Sequence, residues 1–249
     1  MKFFCLLIVS FLFGNNGLEL PKIIDNEQII YHSYYTLSYN EKHEQAKWVA
    51  YKLTSDQILG TFPRKDNFRV DPKVKTGSAK LSDYKGSGYD RGHLAPAADM
   101  KMNEISMSES FFMSNMSPQR PSFNRGIWKK LEQLVRSWAM KEKTIYIVTG
   151  PILSDDLSFI GNNVSIPNYY FKVILDYSDL DIKGIGFILP NIKSNNSLSS
   201  YAVSIDKVED LTGIDFFTNL PDEDEILIES NLSISSWDFN LKSGFKNNK

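Results

Sequence analysis

Asp90, Arg91, Gly92 and His93 bring acid, cation and imidazole together within four residues. A neutral imidazole can take a proton from water near neutral pH. An arginine two residues earlier can grip phosphate oxygens with its forked guanidinium. Leu94-Ala95-Pro96-Ala97-Ala98 follows, and its small side chains leave room at the backbone. Taken alone, the cluster fits equally a core histidine satisfied by a backbone carbonyl.

A second group shifts that balance. Asn124, Trp128, Glu132 and Arg136 recur every four residues, the spacing of one slowly drifting stripe on a helix. Leu131, Leu134, Val135 and Trp138 fall on a different face, suited to packing. Most polar stripes are merely solvated, but those carry Lys and Glu pairs rather than Asn, Trp, Glu and Arg. Asn124 and Glu132 would stand ~12 Å apart along the axis, with Glu132 leaning back toward the helix start. Both are not expected to ligate one ion directly. A consistent arrangement has Asn124 as an inner ligand through its amide oxygen, while Glu132 orients the ion's waters. Magnesium suits that, because it takes oxygen ligands and keeps several waters. The chemistry implied is cleavage of a phosphodiester with one metal ion.

The elements that must position these groups follow from pattern. Tyr34–Asn40 and Lys47–Leu53 are aromatic and β-branched around a polar turn, which predicts a hairpin or neighbouring strands. Leu18–Ser33 reads as an exposed lead-in, and Gly60–Gly88 as a long basic surface loop with short elements. A short helix is expected over Met107–Asn115. Ser117-Pro118-Gln119-Arg120-Pro121 reads as a chain break, followed by one helix from about Ser122 to Lys141. Thr144–Thr149, Tyr169–Leu175 and Ile182–Leu189 predict strands, Ile205–Thr212 a helix ended at Gly213, and Glu223–Glu229 another helix. Strands and helices mix without a regular βαβ alternation, which favours α+β. His32 and His43, in polar surroundings, are expected to be solvent-exposed.

Hydrophobic residues make up 42% of the 249, so the chain is not of the disordered class. The net charge of −2 hides an uneven distribution. Eight basic residues between Arg64 and Arg91 face four aspartates, and seven between Arg120 and Lys143 face two glutamates. From Asp206 to Glu229, nine acidic residues face the single Lys207. A polyanion would be drawn to one region and repelled by the other. Lys2 precedes an apolar run, Phe3–Phe13, then Gly14-Asn15-Asn16-Gly17, which reads as a secretion signal over residues 1–17. That run is shorter than the ~20 residues a bilayer needs. It predicts a secreted or periplasmic protein with no stable membrane association after cleavage. Its lack of arginine disfavours a mitochondrial transit peptide. The one cysteine, Cys5, lies inside the run, so residues 18–249 carry no disulfide, thiolate zinc site or cysteine nucleophile.

These residues resemble the DNA/RNA non-specific endonucleases, the group of the Serratia-type secreted nuclease and mitochondrial endonuclease G. The match runs through DRGH at Asp90–His93, Asn115 in SNMSPQ, and Asn124, Trp128 and Glu132 in NRGIWKKLE. WVAY (Trp48–Tyr51), FRVD (Phe68–Asp71), TGPI (Thr149–Ile152) and LTGIDFF support it, over roughly residues 34–237 of a single domain, 18–249. The resemblance implies an α+β fold with a mixed or antiparallel sheet and a ββα-metal active site. It implies His93 as general base, Asn124 as direct magnesium ligand with manganese as a substitute, and Glu132 as holder of metal-bound water. Arg91 and Arg136 would steady the phosphate, and Asn115 would support the site. Arg64, Arg120 and Arg125 are further candidates for substrate contact. The products would be 5′-phosphate and 3′-hydroxyl ends. DNA or RNA would be the substrate, with a homodimer and a protein inhibitor as expected partners. Two rivals stay open: a phosphodiesterase of small nucleotides, and a non-catalytic nucleic-acid-binding protein.

Overall fold

The computed structural model describes residues 17–178 and 181–240. The expected signal segment therefore lies outside the described residues, apart from Gly17. Among the described residues, no helix is long and apolar enough to cross a membrane.

The chain runs through strands β1 (Gln28–Tyr31), β2 (Thr36–Asn40) and β3 (Gln45–Thr54), then short helices α1 (Ser55–Leu59) and α2 (Leu81–Tyr84). Strand β4 (Asp90–His93), helix α3 (Glu104–Glu109) and strand β5 (Met116–Gln119) follow. A helical stretch then divides into α4 (Pro121–Phe123), a wide turn (Asn124–Trp128) and α5 (Lys129–Glu142). Strands β6 (Thr144–Pro151), β7 (Phe159–Ile160), β8 (Val164–Ser165), β9 (Tyr169–Ser178), β10 (Asp181–Pro190) and β11 (Ala202–Val203) precede helices α6 (Ile205–Thr212) and α7 (Asp222–Ser230).

Seven strands form one antiparallel sheet in the order β1-β2-β3-β6-β9-β10-β11. The central strands are apolar on both faces because both faces are covered. Val49, Tyr51, Leu53, Ile145, Ile147 and Ile174 pack beneath Trp128, Leu131, Val135 and Trp138. Their neighbours Trp48, Ala50, Tyr146, Val148 and Val173 pack on the other face with Val208 of α6 and Ile228 of α7. The fold is thus α+β around an antiparallel sheet.

Three sequence expectations are corrected. Leu18–Ser33 is not an exposed lead-in: β1 pairs with β2 at the sheet edge, and Leu18 and Ile30 are buried. His32 and His43 are buried too. His32 Nε2 lies 2.9 Å from Asp71 Oδ2, and His43 Nδ1 lies 2.9 Å from Ser165 Oγ. Ser117-Pro118-Gln119 is not a break but most of β5, which pairs with DRGH in register Gly92↔Ser117 and Arg91↔Pro118. Proline is tolerated there because the β4–β5 ribbon has only two strands.

Candidate active site

The ribbon and the divided helix build the site together. Ser117 Oγ donates to Gln45 Oε1 at 2.6 Å, and the Tyr170 hydroxyl donates to the Pro118 carbonyl at 2.9 Å, which ties β5 to the main sheet. Gly92 is there for close approach. A Cβ at that position would come within 2.2 Å of the Gln119 side chain, which is completely buried. The predicted single helix is broken at Gly126, whose backbone (φ −105°, ψ −111°) leaves helical geometry. Asn124 therefore does not ride on the straight helix that carries Glu132.

A cleft of about 430 Å³ is lined by Arg64, Arg91, His93, Pro96, Ala97, Ala98, Asn124, Arg125, Lys129, Glu132 and Arg136. The structure so brings together seven of the nine residues singled out from sequence. Of the other two, Asn115 sits behind the cleft, fully buried. Its amide nitrogen donates to the Ala95 and Ser110 carbonyls, and its oxygen accepts from the Ala95 N–H, all at 2.9 Å. That pins the turn leaving His93. Arg120 lies outside the cleft, its guanidinium 5.6 Å from the centre of the Tyr89 ring.

His93 is wedged against the edges of Phe68 and Phe111, with centroids at 5.7 and 5.0 Å. Its Nε2 is buried without a hydrogen-bond partner among the described residues, which leaves Nδ1 to meet the cleft. Burial, and then the charges of Arg64 and Arg91, pull its pKa down to about 3. The imidazole is therefore neutral at pH 7. Arg91 lies 4.2 Å over Phe68 and Arg64 lies 4.9 Å over Phe111, so aromatic faces hold both guanidiniums.

The donor set fits a hard divalent cation. Asn124 Nδ2 donates to Asp90 Oδ2 at 2.9 Å, which leaves its amide oxygen for another partner. Arg125 donates to the same Asp90 carboxylate at 2.9 and 2.6 Å. Glu132 makes no hydrogen bond or ion pair among the described residues. Burial pushes its carboxyl above the usual range, against the pull of Arg136 and Lys172. An amide oxygen and a carboxylate in one cleft are ligands for magnesium or calcium rather than for a soft metal.

Three participants, Lys129, Asp99 and Lys172, escaped the sequence reading, which named Asp90 as the acid of DRGH but gave it no partner. Asp90 orients Asn124, and Lys129 lines the cleft. Asp99 accepts Arg136 Nη1 at 2.7 Å and the Tyr51 hydroxyl at 2.9 Å. Lys172 is fully buried on β9, its Nζ 5.0 Å from the Trp128 ring centre and without a hydrogen-bond partner among the described residues. A lone lysine inside the apolar run YYFKVIL was the available signal. Trp128 itself is core, not part of a polar stripe.

A two-stranded ribbon followed by a helix, presenting histidine and asparagine to one cleft, defines a ββα nuclease unit. The same fold occurs in the crystal structure of the EndoG/EndoGI complex, which addresses the mechanism of EndoG inhibition. The TM-score is 0.75 and identity 29%, over 83% of this chain and 91% of that one. Residues 19–223 match the DNA/RNA non-specific endonuclease family. A nuclease of Nostoc sp. is 37% identical over 235 residues, covering 89% of this chain and 85% of its own. Human mitochondrial endonuclease G is 32% identical over 202 residues, covering 75% and 68%. The chain belongs to the DNA/RNA non-specific endonuclease family and is a nuclease, hence a hydrolase.

Proposed function

We propose that this nuclease cuts DNA and RNA internally by one-metal hydrolysis, with His93 as general base. What carries the proposal is the meeting, in one cleft, of a neutral imidazole, an Asn124 oxygen with no hydrogen bond among the described residues, and Arg91 and Lys129, which make no ion pair among them. A magnesium ion held by Asn124, with Glu132 in its outer shell and manganese as a substitute, would supply neutralising charge to the phosphate and the leaving 3′ oxygen. His93 Nδ1 takes a proton from the attacking water. The new P–O bond forms as the P–O3′ bond breaks, and the departing 3′ oxygen takes a proton from solvent water, leaving 5′-phosphate and 3′-hydroxyl ends. Arg91, Arg64 and Arg136 steady the phosphate oxygens. A bound phosphate also offsets the Arg64 and Arg91 charges that hold His93 down, so the imidazole becomes a better base as substrate arrives.

Binding through phosphates gives little sequence preference and makes cleavage salt-sensitive. An apolar leader supports export to the periplasm or medium. A solved relative bound to EndoGI supports a protein inhibitor, and a homodimer is proposed on the family resemblance. The test is supercoiled plasmid and total RNA incubated with magnesium or with EDTA, using residues 18–249 and their His93→Ala variant. Cleavage that requires the metal and is lost in the variant is the expected result. A folded protein that retains DNA without cutting it would overturn the reading.

A further inference from the structure

A second groove opens beside the cleft. It has a volume of about 400 Å³ and is lined by Leu81, Tyr84, Lys85, Tyr89, Asp90 and Arg91. Arg91 lines both cavities, so the groove adjoins the cleft at the side chain proposed to hold phosphate. Its wall is aromatic and its rim is cationic. Tyr89 is half-buried, packed against the small core of Ala79, Tyr84, Met113 and Met116. The same packing fixes the position of its ring in the groove wall. Lys85 and Arg120 are exposed, and neither side chain makes an ion pair or hydrogen bond among the described residues. Arg120 stands 5.6 Å from the Tyr89 ring centre. The catalytic chemistry described above uses none of Tyr89, Lys85 or Arg120.

A rigid aromatic face beside uncommitted cations is how proteins hold single-stranded nucleic acid: the base stacks, and the cations follow the backbone. We propose that this groove is a nucleobase subsite, in which the base neighbouring the scissile phosphate leaves the stack and lies against Tyr89, with Lys85 and Arg120 on the adjoining phosphate. The proposal rests on the nuclease reading and assigns it a single-stranded, base-bearing substrate. It also gives Arg120 a place in substrate binding away from the cleft.

The test compares two single-stranded oligomers of equal charge and about twelve units: an oligothymidylate and an all-abasic chain of tetrahydrofuran units. The wild type is expected to show a KM about tenfold lower for the oligothymidylate. Tyr89→Leu should raise that KM to the abasic value while leaving KM and kcat on the abasic chain unchanged. Tyr89→Phe, which keeps the ring, should behave as wild type. Equal KM values for the two oligomers in the wild type would overturn the subsite. So would a Tyr89→Leu loss shared by both oligomers, which marks a structural role, or a Tyr89→Phe variant that behaves like the leucine one. If the wild type cuts neither oligomer, the nuclease reading fails separately. The subsite is then judged by fluorescence anisotropy of the same two oligomers, end-labelled, and equal affinities would overturn it.

Discussion

The two faces of the central sheet solve opposite electrostatic problems. On the α5 face, Arg64, Arg91, Arg125, Lys129 and Arg136 converge on one cleft, and two of them rest on aromatic rings. On the α6–α7 face, carboxylate oxygens of Asp206, Glu209 and Glu229 lie within 4.8 Å of one another. Glu229 is only 7% exposed, and its Oε1 has no hydrogen-bond partner among the described residues. Burial, and then Glu209 and Glu225, push its pKa up to about 9, while burial pushes Glu209 up to about 7. Crowded like charges are thus resolved in two ways. Arg64, Arg125 and Arg136 are each paired with an aspartate, Asp66, Asp90 and Asp99, and the cleft between them is open to an incoming anion. On the other face, burial beside neighbouring carboxylates favours the protonated forms of Glu209 and Glu229. A nucleic acid meets attraction on one face and nothing to hold on the other.

The largest effect that sharpens this contrast is on turnover. His93→Ala should lower kcat on plasmid by ~10²–10⁴-fold, while Glu229→Gln should leave nicking rates unchanged. Similar losses in both would erase the distinction between a working face and a structural one. Next comes stability. Asp99→Ala leaves Arg136, 12% exposed, without its carboxylate partner, and should cost ~3–5 kcal/mol in urea unfolding. A cost below ~1 kcal/mol would show that water or Glu132 replaces Asp99.

The pH dependence should have opposite signs for two buried groups, His93 in the cleft and Glu229 on the far face. His93 has its folded pKa depressed to about 3, so between there and its unfolded value near 6.5 the unfolded chain binds more protons, and stability rises with pH. For Glu229 the folded pKa is raised to about 9 from 4.5, so in that window the folded state holds the extra proton and stability falls as pH rises. Glu229→Gln should flatten the alkaline limb of a chemical-denaturation series. An unchanged limb would remove Glu229 as its source. The smallest effect belongs to Arg125→Ala, whose side chain is 73% exposed. Losing its pair with Asp90 should cost no more than ~1 kcal/mol. A larger loss would mean that Asp90 needs the arginine in order to orient Asn124.

Much of the site was legible in the sequence because its members lie in two short segments and differ in type from an ordinary solvated surface. DRGH and NRGIWKKLE announce themselves locally. Partners far along the chain did not. His32 finds Asp71 thirty-nine residues away, and His43 finds Ser165 at a separation of 122, so polar surroundings in sequence misled about burial. Lys172 hid inside an apolar strand because its partners, Trp128, Glu132 and Asp99, come from the helix and loop laid over that strand. Five long strands, β2, β3, β6, β9 and β10, were readable from apolar runs, whereas β1, the polar β4, the proline-bearing β5 and the two-residue β7, β8 and β11 were not. The break at Gly126 leaves a helical pattern intact on either side, so periodicity alone read through it.

Gly92 bears on any attempt to transplant this chemistry. The space where its side chain would stand belongs to Gln119 of the facing strand, and that strand is moored to the main sheet through Ser117 and Tyr170. A tetrapeptide copied into another scaffold would bring the histidine without the surface it leans on. The smallest portable unit is the ribbon together with the anchoring hydroxyl beneath it, and a designer who kept only the motif would inherit its letters but not its geometry.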